Sequence, residues 1–377
     1  DANLLSEFYR LFALTPKTIT LFSQGVNQSS SGTDKVNSII NCHLATGRIG
    51  KPGAGPFSIT GQRNAMGGRE VGGLATQLAA HLSLESAADR ESVRAFWNAP
   101  HIAQQAGLKA VDMFRAVREG RIKALWIMAT NPVVSLPDAD EVRAALRDCE
   151  FVVVSDCVAD NDTLPFAHVK LPAAAWGEKD GTVTNSDRYV SRQRAFLPMP
   201  GLARPDWWIV SRVAQRMGFR DAFAWDSARQ VFEEHARLTA LSKQAGRVLD
   251  LTGFAGIDAQ AFESLEPRQW PFGTDGVEQR PFATGHFPTP DGRARAVPTP
   301  ARLPRQATSE EFPLILNTGR SRDQWHTMTR TALAPVLNAH EPEPFIDAHA
   351  ADLVAAGLQP GQIVQVASRW GSALARL

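Results

Sequence analysis

The run Gly61-Gln62-Arg63-Asn64-Ala65-Met66-Gly67-Gly68-Arg69-Glu70-Val71-Gly72-Gly73 sets glycines beside an amide pair and two arginines. Gln62 and Asn64 can donate to and accept from a heteroatom ring. Arg69 offers a planar fork that matches an oxyanion. The glycines permit positive φ and close backbone approach to a ligand. A packed helix or strand is not expected to tolerate such a stretch; a backbone wrapped around a large polar anion is. The run is not a P-loop, because it lacks the Gly-Lys-Ser or Gly-Lys-Thr ending. A glycine-rich structural loop has the same spacing.

Other residues could also do chemistry. Thr318-Gly319-Arg320 and Trp325-His326-Thr327, with Thr329, gather many donors in one loop. An ordinary polar loop has that composition too, and a single histidine is more often structural than a ligand. Ser155-Asp156 closes an apolar run, where an aspartate could accept from a guanine edge or a ribose, or simply cap a turn. Asn131 before Pro132 carries the same ambiguity. Lys179 and Asp206, taken singly, read as solvent-facing. The three cysteines, Cys42, Cys149 and Cys157, form no CxxC pair and sit in apolar contexts. They are expected to be buried, idle thiols rather than metal ligands, so no metal ligand is assigned.

These groups need positioning elements. Ile19 to Phe22 reads as a strand, "SQGVNQSSSG" as turn chemistry, and Val36, Ile39, Ile40 and Leu44 as one helix face, with Thr33 or Asp34 as its cap. The segments "ALWIMATNP" and "EFVVVSD" are near-continuous apolar strands around the helix "PDADEVRAALRD", the pattern of a parallel, doubly wound sheet. Ligands on such sheets bind beyond the strands' carboxyl ends. "HVKLP" adds a short strand. From Pro205 to about Gln244 the pattern is helical, and 266–311 reads as a linker. "FPLILN" restarts a strand, and a short helix, a Pro-Gly turn and an alternating strand end the chain.

The chain has 377 residues, a net charge of +1 and 44% hydrophobic residues, so it is globular, with no field for nucleic acid. No apolar run reaches the roughly 18 residues of a membrane span, and the start lacks the features of a signal peptide.

Together these stretches resemble the molybdopterin oxidoreductases that carry bis(molybdopterin guanine dinucleotide), the dimethyl sulfoxide reductase superfamily. The run from "GVNQSSSGTDK" to "GGREVGG", with "LPAAAWGEKDGTVTNSDRYVSRQR" and "TGRSRDQWHTMTRT", looks most like the catalytic subunits of bacterial assimilatory nitrate reductases. The resemblance covers essentially the whole chain, in the family's order. It implies an α/β fold: parts of two doubly wound dinucleotide-binding domains over 1–62 and 63–175, a connecting and partly helical region over 176–310, and the start of a β-barrel cap over 311–377. It also implies site roles. Gln24, Gln28 and Gln62 would lie by a pterin arm, and Arg69 would line the substrate pocket. Asn131, Ser155, Asp156, Lys179 and Asp206 would contact nucleotide or pterin. Thr318, Gly319, Arg320, Trp325, His326 and Thr327 would clasp the cofactor.

The implied chemistry is reduction of nitrate to nitrite by oxygen-atom transfer at molybdenum, in the cytoplasm, with electrons from ferredoxin, flavodoxin or an NADH-linked partner. The family's N-terminal cysteines, which hold a 4Fe–4S cluster, and its molybdenum-ligating cysteine have no counterpart here. The chain therefore reads as a piece of a longer enzyme, inactive alone. A piece of another family member, such as a formate dehydrogenase, or a non-catalytic nucleotide-binding remnant, are the alternative expectations.

Overall fold

The computed structural model describes every residue except Glu278. Its strands are β1 (Ile19–Phe22), β2 (Gly55–Ser58), β3 (Ala124–Met128), β4 (Phe151–Asp156), β5 (Val169–Pro172), β6 (Gly181–Thr184), β7 (Tyr189–Gln193), β8 (Arg268–Gln269), β9 (Ile363–Ser368) and β10 (Gly371–Arg376). The chain forms two compact units. The first comprises 1–108, 175–199 and 207–306, and the second 109–174, 200–206 and 307–377.

In the second unit β3, β4 and β5 form a parallel sheet in that order. Val152 and Val154 are fully buried on one face of β4, whereas Phe151 and Val153, which point to the other face, are more exposed. Helix Ala139–Asp148 covers one face with Val142, Ala145 and Leu146, one helical stripe. Asp138 caps it by accepting from the Glu141 N–H. The expected strand, helix and strand are therefore present. Helix Ala350–Ala356 and the antiparallel hairpin β9–β10 end the chain. The described residues contain open sheets and no closed barrel.

The first unit holds the parallel pair β1–β2 and the antiparallel sheet β6–β7–β8. One core gathers Val190, Phe232, Leu249, Leu251, Phe262 and Trp270. A second gathers Leu82, Leu84, Val93 and Leu238. Helices Asp206–Arg216 and Ala228–Gln244 occupy the segment expected to be helical.

Several expectations need correction. Ala65–Glu70, inside the glycine run, is a short helix. Gly67 makes it possible: a Cβ there would lie 2.1 Å from the Asn64 Oδ1, which accepts from the Thr184 N–H at 2.8 Å. Gly72, at φ +75, turns the chain where a Cβ would meet the Leu78 and Ala79 backbone at 2.6 Å. Those two glycines serve internal packing. Gln24–Asn27 is a helical turn rather than loop. The next helix begins at Gly32 after Ser31, with no side-chain cap from Thr33 or Asp34. Only Cys149 is buried, while Cys42 and Cys157 are exposed. Residues 268–269 form β8, and Trp270 is core, so the linker begins later than expected. No strand forms at Leu314–Leu316, whose side chains are exposed. An apolar run becomes a strand only where a neighbour takes its backbone hydrogen bonds, and among the described residues none does. The last segment is a hairpin, not a lone strand running off the end.

Two histidines, His43 buried and His81 half-buried, give the fold a pH dependence. His43 is fully buried, and its Nε2 lies 2.8 Å from the Thr20 hydroxyl. Burial, then the neighbouring Arg48, holds its pKa below the ordinary 6.5. Burial is also the leading cause at His81, with Glu70 opposing. Each imidazole binds its proton more readily in the unfolded chain. Stability is therefore full above pH 6.5 and falls as the pH drops below it, by at most about 1.4 kcal/mol per pH unit for each histidine. Urea midpoints measured from pH 7.5 to 5.5 are expected to fall; midpoints that rise would contradict this.

Candidate functional site

In the first unit, β1 and β2 run parallel with Phe22 opposite Ser58, so their carboxyl ends share one edge. The chain leaves β1 into the helical turn carrying Gln24, with Gln28 as its C-cap. It leaves β2 toward Gln62 and then the helix carrying Arg69. Gln24, Gln28, Gln62 and Arg69 are all exposed there. Within the turn the Asn27 Oδ1 is buried and accepts from nothing described. A cavity of about 200 Å³ opens beside this edge, lined by Phe57, Ser58, Thr60, Met66, Arg69 and the turn Ser186–Arg188. Lys179 is half-buried just before β6 and lines no part of it.

Glu70 follows Arg69 but points elsewhere, since neighbouring helical residues diverge by about 100°. It is 2% exposed. Its Oε1 accepts from the Trp270 indole N–H at 2.7 Å, and its Oε2 from the Thr184 hydroxyl at 3.0 Å. The His235 Nε2 lies 3.7 Å from Oε2, too far for a hydrogen bond. Glu70 thus pins the Arg69 helix to β6 and to the segment after β8. Sequence reasoning missed Glu70 and Arg188, although both lie in stretches it singled out.

In the second unit the carboxyl edge of β3–β4–β5 gathers a second set. Ser155 is fully buried, and its hydroxyl accepts from the Trp126 indole at 2.8 Å. Its side chain is therefore structural. Asp156 accepts from the Val158 N–H at 3.3 Å and from the Asn161 amide at 2.9 Å. A carboxylate has about four acceptor sites, so capacity remains for a ligand. Asn131, 3% exposed, accepts from the Thr163 hydroxyl at 2.6 Å and donates to Asp162 at 3.2 Å. It joins the end of β3 to the loop after β4.

Arg204 bridges to Ala173, just past β5, which brings Asp206 to the same edge. The turn His326–Met328 packs against Pro132–Ser135, directly after Asn131. Arg330 donates to the Cys157 sulfur at 3.6 Å. In the loop, Trp325 and His326 meet edge to face with centroids 4.7 Å apart, and Arg320 lies over Trp325. Thr318 and Gly319 lie in its irregular lead-in, and Thr327 takes φ +55. The unit thus brings Asn131, Asp156 and the His326 loop together. Among the described residues, no three His, Cys, Asp or Glu side chains cluster as a metal site requires. None of their helices is long and apolar enough to cross a membrane.

Comparison with known proteins gives these features a context. Residues 3–216 match the family described as molybdopterin oxidoreductase, and 314–377 match the molydopterin dinucleotide binding domain. A nitrate reductase of Klebsiella oxytoca is 50% identical over 99% of this chain, which spans 43% of that protein. A nitrate reductase of Shewanella frigidimarina is 50% identical over 96% of this chain and 39% of its own length. The chain thus spans about two fifths of these relatives. Acetylene hydratase from Pelobacter acetylenicus matches with a TM-score of 0.54 at 16% identity, over 72% of this chain and 37% of its own, a likeness of fold alone.

Proposed function

The chain belongs to the molybdopterin oxidoreductase family, and from that premise we propose that it is part of a nitrate reductase built around bis(molybdopterin guanine dinucleotide). The observation that carries the reading is 50% identity to a nitrate reductase across nearly the whole chain. Because the chain spans 43% of that relative, turnover is assigned to the complete protein and not to this chain alone.

The residues present fit such a group. The first unit offers arginines at a cavity and a buried amide oxygen with no described partner beside Gln24 and Gln28. Both suit an anionic, heteroatom-rich arm. The second unit offers a partly occupied carboxylate beyond a parallel sheet, a common nucleotide position. On this reading Gln24, Gln28 and Gln62 hold a pterin arm, with Lys179 contributing from before β6. Asp156, Asp206 and the 318–327 loop hold a guanosine, with Asn131 and Ser155 shaping that edge from within. When bound, the molybdenum and its dithiolenes supply the oxygen-atom transfer that turns nitrate into nitrite.

The chain's own part is to bind, orient and exclude water. Arg69 attracts nitrate and holds it by charge-assisted hydrogen bonds. Electrons arrive from a ferredoxin, flavodoxin or NADH-linked donor through a 4Fe–4S cluster held outside this chain, in the cytoplasm. The test is nitrite formation by the complete protein with nitrate and reduced viologen. Formate oxidation without nitrite formation would move the assignment to the formate-oxidising branch.

A further inference from the structure

We propose that Arg188 is a second anion-binding residue of the Arg69 cavity, so that a small oxyanion bridges two guanidinium groups. The inference rests on the reading that this cavity receives nitrate, and it adds the residue that would share the charge.

Arg188 ends the turn between β6 and β7 at φ +67, a conformation that glycine or asparagine adopts with less strain. The turn is tightly made: Asn185 accepts from the Asp187 and Tyr189 N–H groups at 2.9 and 3.0 Å. A bulky residue persists in such a conformation where its surroundings hold it. Here they hold the side chain as well. The Arg188 Nε donates to the Trp270 carbonyl at 3.1 Å, and the guanidinium lies 5.4 Å from that residue's indole ring. The terminal nitrogens have no hydrogen bond or ion pair among the described residues, and the same holds for the Arg69 guanidinium.

Both residues line the cavity with Ser58, Thr60 and Ser186. Its volume of about 200 Å³ is several times the roughly 30 Å³ share of one water, which leaves room for an oxyanion and its hydration. Among the described residues, Asp187 is the one opposing charge in the lining, and it is exposed. Burial lowers the Arg188 pKa, Asp187 raises it and Arg280 lowers it further. An arginine nevertheless stays charged, and a bound anion would offset its lost hydration.

Glu70 sets the two arginines relative to each other. It follows Arg69 in the chain, binds Thr184 at the start of the turn, and binds the indole of the Trp270 that holds Arg188.

Nitrate titrated calorimetrically into the purified chain at low salt is the test, with sulfate as a second oxyanion. Arg188→Gln is expected to weaken nitrate binding roughly ten-fold, with Arg69→Gln comparable, since each removes a charge-assisted pair of hydrogen bonds. Arg188→Lys, which keeps the charge and loses the fork, should fall between. Asp187→Asn should tighten binding, and that gain should shrink in the Arg188→Lys background, a coupling that a merely structural Arg188 would not show. If Arg188→Gln does not fold, the lysine and Asp187 variants decide the matter. Binding weakened by Arg69→Gln alone, with the Arg188 and Asp187 variants at wild-type affinity, would overturn this inference and leave the cavity's reading intact. No heat with wild-type chain at millimolar nitrate would remove both.

Discussion

Glu70→Ala is expected to destabilise the first unit by roughly 3 kcal/mol or more, because two buried donors lose their acceptor at once. The Trp270 indole N–H and the Thr184 hydroxyl both end on this carboxylate, and the site is closed to water. Each unsatisfied donor costs about 1–3 kcal/mol, and the missing side-chain volume adds a cavity. Glu70→Gln keeps one acceptor oxygen and should cost less than alanine. Urea unfolding followed by tryptophan fluorescence measures both variants. A loss below about 1 kcal/mol for Glu70→Ala would mean that these hydrogen bonds do not secure the Arg69 helix to β6.

Arg69→Ala in the complete protein is expected to lower kcat/KM for nitrate on the order of 100-fold, through both a higher KM and a lower kcat. Arg69 is exposed on the cavity, and its guanidinium has no hydrogen bond or ion pair among the described residues. Its replacement should therefore spare the fold, unlike replacement of its neighbour. Molybdenum content measured beside the kinetics separates a substrate role from a cofactor-holding one. Unchanged kinetics with fully loaded metal would refute the substrate role.

The contrast between Arg69 and Glu70 shows what could be read from sequence. The strand, helix and strand over 124–156 were legible because near-continuous apolar runs and a proline-led, acidic helix start are local signals. The carboxyl edges then followed from topology. Glu70 was illegible because its partners lie 114 and 200 residues away, and no local pattern encodes such a contact. Arg188 was hidden for the same reason: its anchor is the backbone of Trp270, in a segment that composition marks as linker.

The glycine run misled in a specific way. Gly67 reads as space for a ligand, yet that space is filled by the Asn64 side chain reaching to β6. At Ser155 and Asn131 the partners were likewise hidden from sequence, since polar side chains at a sheet edge can be engaged by neighbours such as Trp126 and Thr163. Asp156 and Arg69, by contrast, keep hydrogen-bonding capacity toward the cavity and the sheet edge.

The most direct measurement is the content of the complete protein purified from a molybdate-fed host: molybdenum by plasma mass spectrometry and the nucleotide released by acid. About one molybdenum and about two guanosine monophosphates per polypeptide are expected of bis(molybdopterin guanine dinucleotide). A folded protein carrying neither, or carrying a different nucleotide, would contradict the proposed cofactor and the nitrate chemistry built on it.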